Sequence, residues 1–591
     1  MIELPLKQYW TLLVNYLQPQ QRRVAWLAIT LLSSIGLQII NPQILRYFID
    51  TAVAGGSEQA LFAAALLFIT VALVTQVFTV IATYFGENVA WTATNALRVD
   101  LVAHCLRLDL SFHKARTPGE LIERVDGDVN ALSRFFSQFT LHVLGNVILL
   151  CGILGVLFYE DWRAGLSLTV FSLSALITLT RLRYFAIPYW AAYRQVSAEF
   201  FGFLGEHLTG TEDLRANGAV SYVMRRFYQI LQRWLPLYHQ ARLAGTVLWG
   251  TTVGLFTLGN AIALAVGAYL WSQEAITIGT VFLIFYYTDL LSQPIEQIRT
   301  QLEELQQAEA SIYRIQELFQ VQSKLSLGGE QALPTGALGV AFEHVWFSYH
   351  DQAPTQATID PDWVLKNISF SLPPGQVLGL LGRTGSGKTT LVRLLLRLYD
   401  PQSGSVRLGG VVVDHTPLQA LRQRVGLVTQ DVQLFQTSVR HNLTFFNSKI
   451  DDNQLLHALD VLGLSAWLHS LPQGLDTPLG PDSGGLSAGQ AQLLAFARIF
   501  IKDPGLVILD EASSRLDPTT EALTERAVDQ LLMGRTGIII AHRLATVQRA
   551  DQILILENGQ ILEYGRRETL ASNPDSRFAQ LIQTGLTDVL V

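Results

Sequence analysis

The sequence has few of the residues that mark disulfide-rich, metal-binding or nucleic-acid-binding proteins. Its 591 residues include two cysteines, Cys105 and Cys151, which cannot form a disulfide framework and stand in no metal-ligand spacing. We expect both to be buried as small apolar residues. The net charge of −7 provides no basic stripe, so nucleic-acid binding is disfavoured. A signal peptide is also disfavoured, because the first apolar run is too long and lacks a small-residue cleavage site.

Charged residues are scarce as well. They make up 15% of the chain, and the mean hydropathy is +0.29, which is unusual for a soluble protein of this size. The apolar excess lies in the first half, where runs of about 20 residues are long enough to cross a hydrocarbon core about 30 Å thick. The sequence therefore predicts a multi-pass integral membrane protein with a soluble second half. Six spans are expected, at 24–48, 59–84, 134–158, 162–185, 244–271 and 276–299.

The loops predict the orientation of the spans. The connections at 50–58 and 272–274 contain no Lys or Arg, whereas the long segments between the other spans are basic. By the positive-inside rule, the long segments and both termini are cytoplasmic, and we expect the plasma (inner) membrane. The long segments suggest helices that continue into the cytoplasm, with short helices at two tips. We predict a transmembrane domain at 1–320, a linker at 321–339 and a soluble domain at 340–591.

Acidic residues are almost absent from the spans, which argues against a proton-relay antiporter. Asp289 is the exception and shares a predicted helical face with Tyr286 and Gln293; it faces either a cargo cavity or solvent near the inner mouth. Pro42 and Pro294 predict irregular helix geometry. Four aromatic residues suit a hydrophobic cargo, and lipid contact or helix packing accounts for them at least as well: Phe282, Phe285, Tyr286 and Tyr287.

The second half alternates strands and helices. Two β-rich runs, 340–349 and 368–372, come first. Four short apolar runs that suit strands buried on both faces follow them. These runs are 377–381, 425–429, 506–510 and 537–541. The pattern predicts an α/β nucleotide-binding domain with an additional β subdomain.

A phosphate-binding loop follows the first of these buried runs. Gly-Arg-Thr-Gly-Ser-Gly-Lys-Thr fits G-x-x-x-x-G-K-[ST] between a strand and a helical run. Its glycines allow successive N–H groups to point at an anion, Lys388 would reach the β/γ-phosphates, and Thr389 would bind Mg²⁺. The alternative is an ordinary glycine-rich turn. The predicted ATP-binding residues are Gly382, Arg383, Thr384, Gly385, Ser386, Gly387, Lys388, Thr389 and Thr390.

Further candidate catalytic residues follow later buried strands. Asp510 ends an apolar strand and would hold Mg²⁺ through water, and Glu511 would orient the attacking water. His542 follows the next strand and could hydrogen-bond the γ-phosphate. The alternatives are that the two carboxylates merely end a strand and cap a helix, and that the histidine is structural.

A signature segment completes the pattern. About twenty residues before the Asp510 strand stands Leu486-Ser487-Ala488-Gly489-Gln490, which resembles the signature sequence of ATP-binding cassette (ABC) proteins, usually Leu-Ser-Gly-Gly-Gln. Nearly the whole chain resembles an ABC half-transporter of the exporter type, with six helical spans and cytoplasmic extensions fused to one cassette. The Walker A, Q-loop, signature, Walker B, D-loop and H-loop motifs occur in family order.

The resemblance assigns further roles. It implies that Tyr349 stacks on adenine and that Gln430 is the Q-loop glutamine, which contacts Mg²⁺ or water and serves catalysis. Glu511 and His542 resemble the catalytic carboxylate and switch histidine, and Asp517 belongs to the D-loop. In this family, two cassettes meet head to tail, so that Leu486, Ser487, Ala488, Gly489 and Gln490 would act on the partner's ATP. The cytoplasmic tips at 112–128 and 203–219 would be coupling helices.

The departures from the family pattern lie in the segments that would face the partner subunit. Ala488 replaces a glycine and adds a Cβ where the backbone should approach a phosphate. Residues 481–483 read Pro-Asp-Ser where Glu-Arg-Gly is usual, and Arg515 replaces the D-loop alanine. The motifs that serve the chain's own ATP are intact. This asymmetry favours a heterodimer with a second half-transporter over a homodimer.

We therefore predict ATP-driven export or flipping of a drug, lipid or peptide by alternating access. ATP and Mg²⁺ are the expected cofactors, hydrolysis is assigned to Lys388, Asp510, Glu511 and His542, and the lipid bilayer is an expected partner. The main alternative is an ATP-gated channel or regulatory membrane subunit that binds nucleotide without pumping. A membrane-anchored P-loop enzyme and an importer fit the sequence less well.

Overall fold

The computed structural model describes most of the chain as two compact units. The membrane unit comprises residues 1–106 and 118–321, and the cassette unit comprises 107–117 and 322–591. The short segment 107–117 thus groups with the cassette although it joins two helices of the membrane unit. The described residues are 14–138, 143–325, 328–349, 363–430, 432–480, 486–510, 518–541 and 547–583.

The first half of the chain is helical. Three of its helices, α2, α7 and α9, have 50, 48 and 53 residues, which at 1.5 Å per residue makes each at least about 70 Å long. Because a hydrocarbon core is only about 30 Å thick, each extends well beyond a bilayer. The helices are α1 (Gln21–Val53), α2 (Glu58–Arg107), α3 (Leu110–Ala115), α4 (Pro118–Ile122), α5 (Val129–Gln138), α6 (Gly145–Glu160), α7 (Trp162–Thr209), α8 (Thr211–Ala216), α9 (Val220–Ser272), α10 (Ile278–Leu290) and α11 (Ser292–Gln320).

Four helical segments of the described part are long and apolar enough to cross a membrane: Val14–Val53, Glu58–Arg107, Trp162–Thr209 and Val220–Ser272. The shorter helix α6 is also apolar. One buried cluster ties α1, α6, α7, α9 and α10 together through Leu, Ile and Ala side chains. The prediction of a helical membrane domain with long extensions is confirmed.

The sixth predicted span is not one continuous helix. Helix α10 ends at Leu290 and α11 begins at Ser292, both within the predicted span 276–299. Pro294 explains the break, because it lacks the N–H that would bond to Leu290 and its ring clashes with that carbonyl. Pro42 lies inside α1 without ending it. The irregularity predicted at Pro294 is therefore confirmed.

The environments of three side chains in the membrane unit can be compared with the predictions. Cys105 is buried as expected, but Cys151 is exposed on α6, because an apolar helix also presents small residues on its outer face. Tyr287 is fully buried, and its hydroxyl donates a hydrogen bond of 2.6 Å to the carbonyl of Ile39. Tyr287 therefore packs between helices, which is one of the alternatives that the sequence left open.

Asp289 is exposed near the end of α10. Asp289 lies on α10 and Gln293 on α11, and Leu291 between them keeps a right-handed helical conformation with φ −68° and ψ −19°.

The cassette unit contains two sheets. Helix α3 belongs to it, together with α12 (Lys388–Leu395), α13 (Leu418–Arg424), α14 (Val439–Thr444), α15 (Asp452–Val461), α16 (Ser465–Ser470), α17 (Ala488–Lys502), α18 (Pro518–Leu532), α19 (Arg567–Ser572) and α20 (Arg577–Gln583). The strands are β1 (Val340–Phe347), β2 (Leu365–Leu372), β3 (Val377–Leu381), β4 (Ser403–Leu408), β5 (Val411–Val412), β6 (Val425–Val428), β7 (Leu506–Asp510), β8 (Thr536–Ile540), β9 (Gln552–Glu557) and β10 (Gln560–Arg566).

The larger sheet has the order β10-β9-β3-β8-β7-β6 and the smaller one the order β2-β1-β4-β5. Strands β9, β3, β8, β7 and β6 are parallel, whereas β10 and the whole smaller sheet pair in antiparallel fashion. Strands β3 and β8 are buried at every position, as expected of parallel strands covered on both faces. The predicted fold class is confirmed. The carboxyl ends of β3, β6, β7 and β8 consequently lie along one edge.

Candidate functional site

The loop after β3 begins at Gly382, where the backbone has a conformation that only glycine adopts without a clash. Gly382 has φ +144°, and a Cβ there would lie 2.3 Å from the carbonyl oxygen of Leu556. Gly385 and Gly387 also have positive φ, at +84° and +107°. Each of these positions would strain a residue with a side chain. The loop therefore curls tightly and leads into the N-terminus of α12, where N–H groups without helical partners attract anions.

Two buried polar groups of this loop suit a polyphosphate. Lys388 is 7% exposed, and its ammonium donates hydrogen bonds to the carbonyl oxygens of Gly382 at 2.6 Å and Arg383 at 3.0 Å. Ser386 is 4% exposed, and its hydroxyl has no hydrogen-bond partner among the described residues. An unpaired buried hydroxyl is costly. Phosphate oxygens would accept from both groups, so the loop fits ATP.

Oxygen ligands suited to Mg²⁺ stand on the same edge of the sheet. Thr389 is exposed in the first turn of α12, and Asp510 is half-buried at the end of β7. Gln430 is exposed two residues beyond β6, which pairs with β7 in parallel register. Hydroxyl, carboxylate and amide oxygens are the ligand types that Mg²⁺ takes, commonly with retained waters. These three residues therefore fit a hydrated Mg²⁺.

Tyr349 lies beside the same loop. Its hydroxyl shares a hydrogen bond of 2.9 Å with the hydroxyl of Thr390 and accepts one of 2.9 Å from Arg393. Its ring packs nearly perpendicular to those of Phe347 and Tyr399, and burial raises the pKa of Tyr399 above its usual value. The ring of Tyr349 is thus held in place by the helix that follows the phosphate loop, as a stacking surface for a base requires.

Several predicted site residues lie outside the described residues. They are the proposed catalytic and D-loop residues Glu511, His542 and Asp517, and also the departures at 481–483 and Arg515. The strands that precede them are described. Asp510 pairs with Ile540 across β7 and β8, so the strands that precede Glu511 and His542 in the chain are neighbours in the sheet.

The signature segment begins helix α17. Ser487 is its N-cap, the hydroxyl accepts from the N–H of Gln490 at 3.2 Å, and the Gln490 side chain accepts from the N–H of Ser487 at 3.0 Å. This reciprocal capping box stabilises the helix start. It uses the Ser487 oxygen only as an acceptor, so the O–H remains available to donate to a phosphate. Leu486 is half-buried and Gly489 is buried.

Arg498, on α17, is a structural residue that the sequence analysis did not single out. Its guanidinium donates to the carbonyl of Gln433 at 2.9 Å, and to the carbonyl and side-chain oxygen of Asn442 at 2.7 and 2.9 Å. It also lies 4.8 Å from the ring of Phe445. Burial lowers the pKa of Arg498 to about 10. The sequence signal was an arginine within the apolar run Ala-Phe-Ala-Arg-Ile-Phe.

The membrane unit also contains a charged pair that was not anticipated. Arg46, within the first predicted span, donates a 2.5 Å hydrogen bond to Glu160, the last residue of α6. Gln43 donates to the same carboxylate at 3.3 Å. Side-chain exposure is 29% for Arg46 and 11% for Glu160. The pair links α1 to α6 and offsets the cost of a partly buried charge.

A second network surrounds Asp128, which is 2% exposed at the end of a π-helical turn (Glu123–Asp128). Arg314 donates to its carboxylate with two guanidinium nitrogens, one of them at 3.0 Å, and Ser311 donates at 2.9 Å. Arg124 donates at 3.4 Å. The hydrogen bond to Asp128 raises the pKa of Arg314 above its usual value. The network ties the helical segment after α4 to α11.

Comparisons with known proteins agree with this architecture. The family model described as "ABC transporter transmembrane region" matches residues 25–295, and the model described as "ABC transporter" matches residues 365–514. The two matches together span most of the chain. The second includes the phosphate loop, Gln430, the signature segment and Asp510.

Known proteins match the chain over most of its length. The chain is 27% identical over 585 residues to the "ATP-dependent lipid A-core flippase 1" of Colwellia psychrerythraea, with 96% of this chain and 95% of that protein covered. It is 29% identical over 475 residues to the "Fatty acid ABC transporter ATP-binding/permease protein" of Mycobacterium bovis, with 80% and 74% covered. A solved structure of a bacterial Atm1-family ABC exporter with ATP bound shares its fold, with a TM-score of 0.78, 24% identity, and 95% and 98% covered. The chain therefore belongs to the ABC transporter family, as a half-transporter of the exporter type that couples ATP hydrolysis to transport.

Proposed function

We propose that this chain forms one half of a dimeric exporter that moves a hydrophobic or amphipathic cargo across the membrane by alternating access. The observation that carries the proposal is the loop after β3. There, the unpaired hydroxyl of Ser386 and the buried ammonium of Lys388 suit a triphosphate. This loop stands in one chain with helices long enough to cross a bilayer. Closure of two cassettes around ATP would switch the membrane region, and hydrolysis would reset it.

In the proposed hydrolytic site, Lys388 and the N-terminus of α12 bind the phosphates and offset their charge. Glu511, directly after β7, orients the attacking water, and His542, after β8, donates to the γ-phosphate. Mg²⁺ would be held by Thr389, Gln430 and, through water, Asp510, and would neutralise charge on the phosphate oxygens. The signature residues Leu486 to Gln490 and the D-loop residue Asp517 act on the nucleotide of the partner.

Glu511→Gln in the full-length protein tests the hydrolytic assignment. An amide keeps the shape of the side chain but cannot serve as a carboxylate, so ATP binding should persist while turnover is lost. The matched control is Asp529→Asn, which changes a surface carboxylate that pairs with Arg549 and has a side chain 59% exposed. The control should hydrolyse ATP normally. Wild-type hydrolysis by Glu511→Gln would refute the assigned role.

A groove on the cassette supplies a candidate surface for coupling. It has a volume of about 1160 Å³ and is lined by residues of β6, α13, α14 and α17, including Phe445 and Arg498. Phe445 and Phe446 are 57% and 58% exposed, and both have positive φ, at 47° and 65°, which strains residues with side chains. A six-residue helix such as α8 is about 9 Å long and about 10 Å across, and it would fit this groove.

We propose that the groove receives a short cytoplasmic helix of a membrane region. The aromatic edge formed by Phe445 and Phe446 would then be covered in the assembled transporter, which accounts for its exposure in one chain. Replacing both phenylalanines with serine should leave ATP binding intact and reduce the dependence of ATPase activity on cargo. Unchanged cargo stimulation in this variant would contradict the coupling role.

The proposed partner is a different half-transporter. Ala488 in the signature, together with the replacements at 481–483 and Arg515, alters the parts of this chain that would act on the partner's ATP. The phosphate loop that serves its own ATP is intact. A heterodimer would combine one competent and one weakened hydrolytic site. A purified chain that forms a dimer by itself and shows full, cargo-stimulated ATPase activity would overturn this assignment.

The cargo class is proposed from two observations. Similar proteins carry names that specify lipid A-core and fatty acids as cargo, and α10 presents Phe282, which is 39% exposed, beside Tyr286 and Asp289. Inside-out vesicles containing the dimer should move a fluorescent phospholipid or accumulate a hydrophobic dye only with ATP. Accumulation against a gradient distinguishes a pump from the alternative, an ATP-gated channel, which would only dissipate a gradient. An unchanged transport rate in Asp289→Asn would exclude this residue from the cargo site.

A further inference from the structure

Lys114 lies over the ring to which adenine recognition is assigned. It belongs to α3, the short helix between α2 and α4 that groups with the cassette unit. Its ammonium nitrogen is 4.3 Å from the centroid of the Tyr349 ring, within the range of a cation–π contact. The guanidinium of Arg393 is 5.9 Å from the same centroid and also bonds to the Tyr349 hydroxyl.

The segment that carries Lys114 is anchored at its N-terminal end. Asp109 caps α3 by accepting a hydrogen bond of 3.1 Å from the N–H of Phe112, and it accepts one of 2.7 Å from the N–H of Lys324. Burial alone would raise the pKa of Asp109, but these bonds and one from Ser111 outweigh it and hold the pKa below its usual value. Asp109 therefore remains ionised and keeps α3 attached to the start of the linker.

The ammonium occupies the layer that a stacked base would need. Atoms of stacked rings lie about 3.5–4.0 Å apart, so a base on this face of Tyr349 would overlap a group 4.3 Å from the ring centroid. The ring neighbours Phe347 and Tyr399 belong to the folded body of the cassette and meet Tyr349 at 88° and 83°. Lys114 is exposed, so it is the neighbour that can leave.

We propose that Lys114 and adenine compete for the same face of Tyr349, so that ATP binding releases Lys114 and detaches this contact of α3 from the cassette. The inference rests on the proposed stacking role of Tyr349. As a consequence, the adenine base acts together with the phosphates to change the contacts of the segment between α2 and α4 when ATP binds. Removing the ammonium should tighten ATP binding, because the base no longer displaces a bound group.

The test compares two ligands in the full-length protein carrying Glu511→Gln, so that turnover does not interfere. MgATP contains the base, whereas magnesium tripolyphosphate lacks it. Lys114→Ala should tighten ATP binding about twofold to fivefold, the equivalent of about 0.5–1 kcal/mol at 1.4 kcal/mol per factor of ten, and should leave tripolyphosphate affinity unchanged. Lys114→Arg should retain the original ratio of the two affinities, since it keeps a cation over the ring.

Arg116→Gln is the matched control, because Arg116 lies in the same segment but over Phe112, at 4.7 Å. It should not change the ratio of the two affinities. Weaker or unchanged ATP binding in Lys114→Ala would overturn the competition, provided that Tyr349→Ala weakens ATP and spares tripolyphosphate. If Tyr349→Ala leaves ATP affinity unchanged, the stacking assignment itself is wrong, and the two failures are thereby distinguished.

Discussion

Arg498→Met should loosen the cassette segment 433–446 more than it disturbs the nucleotide site. In the wild-type protein, the guanidinium satisfies the carbonyls of Gln433 and Asn442 and the side-chain oxygen of Asn442 with three hydrogen bonds. Asn442 is fully buried and in turn bonds to the backbone of Phe435 in both directions, at 2.9 Å. Methionine fills a similar volume and donates no hydrogen bond.

The expected loss of stability follows from the hydrogen-bond acceptors that Arg498→Met leaves unpaired. Each buried acceptor that loses its donor costs about 1–3 kcal/mol. Asn442 retains its other bonds, and the cassette surface near Gln433 is partly open to water, so the total should be about 3 kcal/mol rather than the full sum. The pKa of Arg498 is about 10, so the wild-type side chain is charged near neutral pH and all three bonds are present.

Hydrogen exchange of the full-length protein measures the effect. The N–H of Phe435, which bonds to Asn442, should lose protection by about two orders of magnitude, since 1.4 kcal/mol corresponds to a factor of ten. The matched control is Lys502→Met on the same helix. Lys502 is also a cation, and partial burial lowers its pKa, but its ammonium donates to the carbonyl of Val425, which lies outside 433–446. Equal protection of Phe435 in wild type and Arg498→Met would refute the argument.

Three further predictions concern other parts of the chain. Gly382→Ala should abolish ATP binding, measured by equilibrium titration, because its Cβ would meet a carbonyl of β9 at 2.3 Å. Asp128→Asn should lower the thermal unfolding midpoint, because its pairing with Arg314 is lost at a cost of about 3 kcal/mol. The control Glu199→Gln, in a pair with side chains 57% and 47% exposed, should cost less than about 1 kcal/mol. Equal unfolding midpoints of the two variants would contradict this prediction. The lowered pKa of Asp109 predicts that its contribution to stability is present above its usual value of 3.8 and is lost as pH falls below that value; Asp109→Asn should remove this pH dependence from the unfolding midpoint.

The elements that the sequence predicted well are those specified by local pattern. Strands β3 and β7 have the predicted bounds, because a short apolar run between a turn and a polar residue marks a buried parallel strand. The glycine spacing likewise predicted a loop that closes tightly, and Gly382, Gly385 and Gly387 have the positive φ angles that such a loop uses. The irregularity at Leu291 was predicted from Pro294 alone, because the missing N–H of a proline interrupts a helix even where the apolar run continues across it.

The contacts that the sequence did not predict join residues far apart in the chain. Arg498 and Gln433 are 65 positions apart, and Arg46 and Glu160 are 114 apart. Lys114 and Tyr349 meet across an even longer interval. A charged residue in an apolar run indicates that a partner exists, but the partner is determined only by the packing of whole elements. Such pairs therefore emerge from the structure alone.

The signature helix explains why the alanine in the signature has little cost for this chain itself. Ala488 occupies the first position of α17, directly after a complete capping box formed by Ser487 and Gln490. Alanine is a better helix former than glycine, so the replacement favours the helix in the isolated chain. Under the proposed function, the added Cβ would meet a phosphate of the partner's nucleotide, and the penalty would appear only when two cassettes close. We therefore expect the stability of the separate chain to be insensitive to this residue, so the proposed asymmetry has to be measured in the assembled dimer.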